Sequence, residues 1–241
     1  MEQILAKWES LSASSGIVRF LDINLRSIGQ VMFQNNPLTG LLFLAAIAWA
    51  SYAAGVPRVA IAGVLAVVVA NLTAQWLNAD SESLHSGLYG YNGVLVGLAL
   101  ATFLAPSPLM WVYVVLGASV SVIAMLGTVN ALKPWGVSSL TFPFVLTTWL
   151  LLLATYGFSG LTGAALPAGD VVVAFHPYEA SPLKLIDLLQ GVLQSISQVF
   201  LKANGVAALL LLVGLAVNSL TAAALAFGLS LRISLTNEVL P

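Results

Sequence analysis

Long apolar stretches, separated by short polar or glycine- and proline-containing breaks, run along most of this 241-residue chain. A helix needs about 20 mainly apolar residues to cross a bilayer, and several stretches approach that length. The pattern therefore predicts an all-α integral membrane protein. The candidate helical stretches are 17–31, 38–54, 59–76, 92–104, 109–132, 142–156, 183–201 and 205–231.

Two places in this pattern are interrupted. The stretch 92–104 is short and has a glycine-rich start, which favours a bent or re-entrant helix. The stretch 133–144 is interrupted by Pro134, Gly136 and Pro143. Irregular backbone at membrane depth survives only where it is buried in protein or lines a wet cavity. The breaks therefore point to a transport pathway, as in transporters with broken helices. Two ordinary interhelical loops are the alternative.

A short internal repeat indicates duplication. Residues 25–31 and 193–199 agree at five of seven positions, including polar serine and glutamine matches. We predict a first transmembrane repeat at 17–157 and a partial second one at 183–241. An N-terminal lead-in would occupy 1–16 and a linker 158–182. If each unit has an odd number of spans, the two lie in opposite orientations.

Composition supports a membrane location. The chain is 59% hydrophobic and 7% charged, with a mean hydropathy of +0.98, whereas soluble domains carry roughly 25% charged residues. We therefore expect a multi-pass protein of the cell membrane with the lipid bilayer as a partner. The net charge of −1 provides no basic field for nucleic acid. The absence of cysteine excludes disulfides and thiolate metal ligands.

Residues 30–40 form the first of three polar and aromatic clusters. Amides, an aromatic ring and a proline end one apolar stretch and begin the next. Amides both donate and accept hydrogen bonds, which suits a neutral polar solute. The alternative is a capped helix boundary, with Asn36 as N-cap and Pro37 at the first helical position.

The other two clusters are 87–97 and 138–144. In 87–97, glycines allow close backbone approach and two tyrosines supply flat faces; an interfacial aromatic belt with a flexible turn is the alternative. In 138–144, hydroxyl side chains precede Pro143, which lies between two phenylalanines. A proline kink with Ser or Thr bonding the freed backbone would explain this cluster equally well.

Taken together, these clusters resemble the urea transporter family. The matching strings are Gln-Val-x-Phe-x-Asn-Asn-Pro-x-Thr-Gly at 30–40, Gly-Leu-Tyr-Gly-Tyr-Asn-Gly-x-Leu-Val-Gly at 87–97, and Leu-Thr-x-Pro-Phe at 140–144. They occur in the family's order. The resemblance covers roughly 19–149 and continues more weakly over 183–205. It implies an inverted-repeat helical bundle with a re-entrant pore helix in each half, assembled as a homotrimer with one pore per protomer.

The resemblance also implies a function, passive and selective permeation of urea through a channel without a cofactor, metal or catalytic residue. Gln30, Val31 and Phe33 resemble residues of a dehydrated urea site. Tyr91 and Leu95 resemble the walls of a slot, and Thr141 resembles a pore hydroxyl. In the second half, only Gln198 and Val199 can be matched to the family.

The chemistry of urea agrees with such a slot. Urea is flat and neutral, so aromatic rings against its faces and oxygen atoms along its edge replace its hydration without a charge. Leaving its polar groups unpaired would cost several kcal/mol each. Binding should stay weak, because conduction requires that the solute also leave.

Departures from the family pattern leave alternatives open. After Val199 the chain lacks the Pro-x-Thr-Gly part of the first string, and neither other string has a second copy. We therefore expect an incomplete second repeat and no complete two-half channel from a lone protomer. Alternatives are a channel for ammonia, water or another small amide, or a nonconducting truncated remnant. A membrane enzyme is disfavoured, because His85 and His176 lack metal-ligand spacing and nucleophile or phosphate-binding motifs are absent.

Overall fold

The computed structural model describes residues 2–157, 159–164, 185–201 and 203–239, most of which form α-helices. The predicted all-α class is confirmed. The predicted linker and its His176 lie outside the described residues, apart from 159–164. The helices are α1 (Glu2–Ser14), α2 (Gly16–Gln30), α3 (Pro37–Ala53), α4 (Arg58–Trp76), α5 (Ser81–His85), α6 (Tyr91–Phe103), α7 (Pro108–Leu132), α8 (Phe142–Ala154), α9 (Leu185–Ser197), α10 (Gly205–Asn218) and α11 (Leu220–Val239).

Two helices in the described part have the length and composition to cross a bilayer on their own. These are α4 and the continuous Pro108–Trp135 unit, in which a 3₁₀ turn extends α7. The pair Leu188–Phe200 and Gly205–Asn218 is bent by 74° and forms either one broken span or a re-entrant loop. The predicted membrane character therefore rests on long spans together with short and broken apolar helices.

Helix α6 is short and lies at the centre of the fold. Its 13 residues extend about 20 Å at 1.5 Å per residue, less than the roughly 30 Å of a bilayer core. Every residue from Tyr91 to Ala101 is buried, and α6 packs against α2, α4, α7 and α8. As predicted for 92–104, this helix is too short to cross the membrane completely.

Polar side chains occupy part of the buried face of α2, beside the apolar Ile23 and Ile28. Asn71 of α4 donates to Asn24 Oδ1 and to Ser27 Oγ, both at 3.1 Å. The Ser27 hydroxyl itself donates to the Ile23 carbonyl at 2.8 Å. Because these buried groups are paired, they fix the position of α2 instead of destabilising it.

The short helix α5 lies in the connection between α4 and α6. Asp80 is its N-cap, and its Oδ2 atom accepts a hydrogen bond from the Ser83 backbone N–H at 2.8 Å. This bond stabilises the carboxylate and holds the pKa of Asp80 below its ordinary value.

The turn between α2 and α3 recurs between α9 and α10. Phe33 and Leu201 both adopt left-handed backbone, with φ of 58° and 59°. Asn36 (φ −145°, ψ 122°) and Asn204 (φ −146°, ψ 123°) cap the following helices. Helix α3 packs directly against α10. A left-handed residue and a capping asparagine therefore accompany the repeated sequence, while the boundaries of the two repeats stay a prediction.

The structure divides the single stretch expected at 205–231. Ser219 is extended (φ −151°, ψ 106°) and separates α10 from α11. Its hydroxyl accepts a hydrogen bond from the Ala222 backbone N–H at 3.1 Å and caps the second helix. Hydropathy alone misses this break, because one serine hardly changes the apolar pattern.

Candidate functional site

A cavity of about 580 Å³ lies where the breaks predicted from the sequence meet. The end of α2, the start of α6, the C-terminal part of α7 and the loop before α8 form its walls. Its size falls in the range of small-molecule sites. The lining residues are Gln30, Phe33, Leu88, Tyr91, Met125, Val129, Asn130, Lys133, Gly136, Val137, Ser138, Ser139 and Leu140.

The turn after α2 brings Gln30 and Phe33 to this cavity. Gln30 Nε2 donates to the Ser86 carbonyl at 2.8 Å, which orients the side-chain amide. Phe33 is 65% exposed. Asn36 ends the turn, and its Oδ1 atom accepts from the Leu38 backbone N–H at 2.9 Å. The capped helix boundary that the sequence offered as an alternative is thus present, and Gln30 and Phe33, just before it, line the cavity.

The glycine-tyrosine string packs its backbone directly on α2. Gly87 has φ +76°, and a Cβ atom there would lie 2.4 Å from the Ser27 backbone nitrogen. Only glycine fits this position. The close approach places Tyr91, the first residue of α6, beside the cavity.

The loop before α8 presents a carbonyl to the start of α6. Leu140 has φ +45°, which is unfavourable for a leucine. Tyr91 Oη donates to its carbonyl oxygen at 2.5 Å, and Asn92 Nδ2 donates to the same oxygen at 3.4 Å. Asn92 Oδ1 in turn accepts from the Phe144 backbone N–H at 3.1 Å. Asn92 thus bridges the loop and α8.

Three of the predicted site residues, Gln30, Phe33 and Tyr91, line one cavity. Three others do not belong to its lining: Val31 and Leu95 are buried, and Thr141 is half-buried directly after the lining residue Leu140. Gln198 and Val199 lie in the matching turn between α9 and α10, in the second segment (the described residues from 185 onward). Both are exposed, and they too are outside the lining.

Comparison with known proteins identifies the family. The urea transporter family model matches residues 21–236. The chain belongs to the urea transporter family. It is 32% identical over 142 residues to urea transporter 1 of Rattus norvegicus, which is 58% of this chain and 36% of the rat protein. It is 32% identical over 145 residues to urea transporter 1 of Ovis aries, covering 59% of this chain and 36% of the sheep protein. The match thus spans about a third of the length of these curated relatives.

This urea transporter family member has site residues that the three strings did not single out. Among the described residues that line the cavity, Lys133 is the one with a charged side chain. It is the sole Lys, Arg, Asp or Glu between Glu82 and Asp170, a signal visible in the sequence. Nothing in the sequence around Asn130 marks it as a site residue. Among the described residues, no three His, Cys, Asp or Glu side chains come together as a metal site.

Proposed function

We propose that this chain provides a passive, selective pathway for urea across the cell membrane. The observation that carries the proposal is backbone strain at the cavity. Among the described residues, the non-glycine positions with positive φ are Phe33, Asn78, Leu140 and Leu201. Two of them, Phe33 and Leu140, line the same cavity. Strain of about 1–3 kcal/mol per residue persists where the surrounding structure enforces it, which is common at ligand sites.

The cavity chemistry suits a flat amide. Phe33 and Tyr91 offer aromatic faces, and Ser138 and Ser139 offer hydroxyls. Gln30 Nε2 donates to the Ser86 carbonyl, which orients the side-chain amide, and in this proposal the Gln30 amide oxygen accepts a urea N–H. These groups can replace the hydration of a neutral solute, whereas a cation would lose far more solvation free energy than they return.

Gln30, Phe33 and Tyr91 are proposed to bind urea in this cavity. The remaining proposed urea-binding residues are outside the lining and rest on the family resemblance alone: Val31, Leu95, Thr141, Gln198 and Val199. In this proposal the protein is a channel and not an enzyme. We further propose that it works in the lipid bilayer as a homo-oligomer, with the trimer expected from the family resemblance.

Stopped-flow light scattering of proteoliposomes tests the function. Purified protein is reconstituted, and the rates of urea, thiourea, ammonia and water flux are compared with those of empty vesicles. Urea flux well above the empty-vesicle rate, with smaller gains for the other permeants, supports the proposal. Equal gains for ammonia or water point to a different solute. A urea rate equal to that of empty vesicles overturns the proposal in favour of a nonconducting protein.

Thr141→Val tests the proposed pore hydroxyl. The Thr141 side chain makes no capping bond to α8, so we expect little change in stability and a clear loss of urea permeability. Thr155→Val is the matched control, because it makes the same change at the far end of α8, away from the cavity. The Thr155 hydroxyl donates to the Leu152 carbonyl there. If both variants conduct urea like the parent protein, Thr141 is not part of the pathway.

A further inference from the structure

A chain of hydrogen bonds connects the N-terminal helix with the turn that carries Phe33. Trp8 Nε1 of α1 donates to Asp22 Oδ1 at 2.6 Å. Arg26 Nε donates to Asp22 Oδ2 at 2.8 Å. Arg26 Nη1 then donates to Asn35 Oδ1 at 2.8 Å and to the Asn35 carbonyl at 3.2 Å. We call these four residues the Asp22 clamp.

The central ion pair of the Asp22 clamp is sheltered from solvent. The side chains of Asp22 and Arg26 are only 10% and 15% exposed. Charge-assisted hydrogen bonds at such sites are shorter and stronger than neutral ones. The planar guanidinium reaches Asp22 and Asn35 at once, which an ammonium group cannot do with the same geometry.

The clamp contacts the turn that carries Phe33. Asn35 lies two residues after Phe33, whose left-handed backbone is unfavourable for an aromatic side chain. Within the turn, Phe33 N–H donates to the Gln30 carbonyl at 3.0 Å and Gln34 N–H to the Gly29 carbonyl at 3.1 Å. Arg26 adds the outer restraint on Asn35.

The second segment provides an internal comparison. At the positions that correspond to Asp22, Arg26 and Asn35, it has Gln190, Gln194 and Ala203, all exposed. Its left-handed residue is Leu201, where the first segment has Phe33. Both segments keep the capping asparagine. The ion pair thus accompanies the aromatic residue and is not required for the turn itself.

We propose that the Asp22 clamp positions Phe33 and thereby sets how sharply urea is discriminated from bulkier analogues. The inference rests on the proposed urea pathway. Asp22 and Arg26 are positioning residues, because they act on the cavity through Asn35 and are not among its lining residues. Trp8 holds Asp22 in place from α1, so this peripheral helix contributes to selectivity.

Arg26→Lys is the decisive variant. It keeps a positive charge beside Asp22 but loses the hydrogen bonds from the guanidinium to Asn35. We expect the ratio of urea to thiourea permeability to fall severalfold in proteoliposomes. Hydrogen exchange at the Phe33 and Gln34 amides should become about tenfold faster, as expected for the loss of one charge-assisted bond. Arg19→Lys is the matched control. Arg19 of α2 also donates two hydrogen bonds through its guanidinium, but to the Ser12 and Ala13 carbonyls of α1.

Trp8→Phe removes only the indole N–H and should give a smaller shift in the same direction. Combined with Arg26→Lys it should add little, because both changes act through the same contact. Exchange and selectivity that stay as in the parent protein for Arg26→Lys, or that shift equally for Arg19→Lys, overturn the clamp. If the parent protein conducts no urea, the proposed function fails, and unchanged exchange in Arg26→Lys would still overturn the clamp separately.

Discussion

At the scale of single residues, the candidate site depends on side chains that pair with strained backbone. Leu140 directs its carbonyl toward the start of α6, and Tyr91 Oη donates to it at 2.5 Å. Asn92 supports the same carbonyl with a longer bond of 3.4 Å. The tyrosine therefore has two roles in the site, since its ring lines the cavity and its hydroxyl holds the opposite loop.

Tyr91→Phe separates these two roles. The ring face remains, but the Leu140 carbonyl loses its shorter hydrogen bond, so we expect a loss of stability of about 1 kcal/mol. Urea permeability should fall because the loop that forms one wall relaxes. Thermal unfolding in detergent and stopped-flow flux measure the two effects. Tyr52→Phe, at a residue that is 73% exposed, is the control. Equal stability and flux in both variants would show that the hydroxyl has no such role.

At the scale of helices, the fold relies on very close packing of α2 against α3. A Cβ atom on Gly40 would lie 1.8 Å from the Leu25 carbonyl oxygen. Because that atom belongs to the backbone, no side-chain rotation can relieve the clash. The helix pair holds the turn of Phe33 between its ends, so its spacing also determines where the turn lies.

Gly40→Ala should therefore destabilise the protein strongly, by about 3 kcal/mol or more, because α2 and α3 must separate. Gly127→Ala is the matched control in α7, where a Cβ atom would meet nothing within 4 Å. Alanine favours the helical state by up to about 1 kcal/mol over glycine, so this control should be neutral or stabilising. Thermal unfolding and expression yield distinguish the two. A Gly40→Ala protein as stable as the control would refute the close packing.

At the scale of the whole molecule, hydrogen bonds between polar side chains and backbone join α10 to the turn between α2 and α3. Asn218 Nδ2 of α10 donates to Gln34 Oε1 at 2.7 Å, and Asn36 Nδ2 donates to Asn218 Oδ1 at 3.2 Å. Thr39 Oγ1 donates to the Gly214 carbonyl at 2.8 Å. These bonds connect the turn of the first segment to the end of α10, so the second segment helps to hold the candidate site.

Asn218→Ala should loosen this connection without touching the cavity lining. Loss of two side-chain hydrogen bonds corresponds to about 1–3 kcal/mol. We expect faster hydrogen exchange both in α10 and in the turn at 33–36. Gln75→Ala, at an exposed residue of α4, serves as control. If exchange rises in α10 alone, the two segments are not coupled through Asn218.

The sequence by itself determined the all-α membrane class, the shortness of the helix near 92–104 and the breaks around 133–144. It offered the cap at Asn36 as one of two interpretations of 30–40. These properties follow from hydropathy, chain length and local capping chemistry, which act between residues close in sequence. The family strings also identified Gln30, Phe33 and Tyr91, which line one cavity.

Only the tertiary structure decided which of these residues meet. The bond between Tyr91 and Leu140 joins positions 49 residues apart, and the amide bonds of Asn218 span more than 180. No local pattern predicts the left-handed backbone of Phe33 and Leu140, the role of Asn92 or the reach of Arg26 to Asn35. Each depends on helix packing, because a hydrogen bond requires two groups to lie about 3 Å apart in space, whatever their separation along the chain.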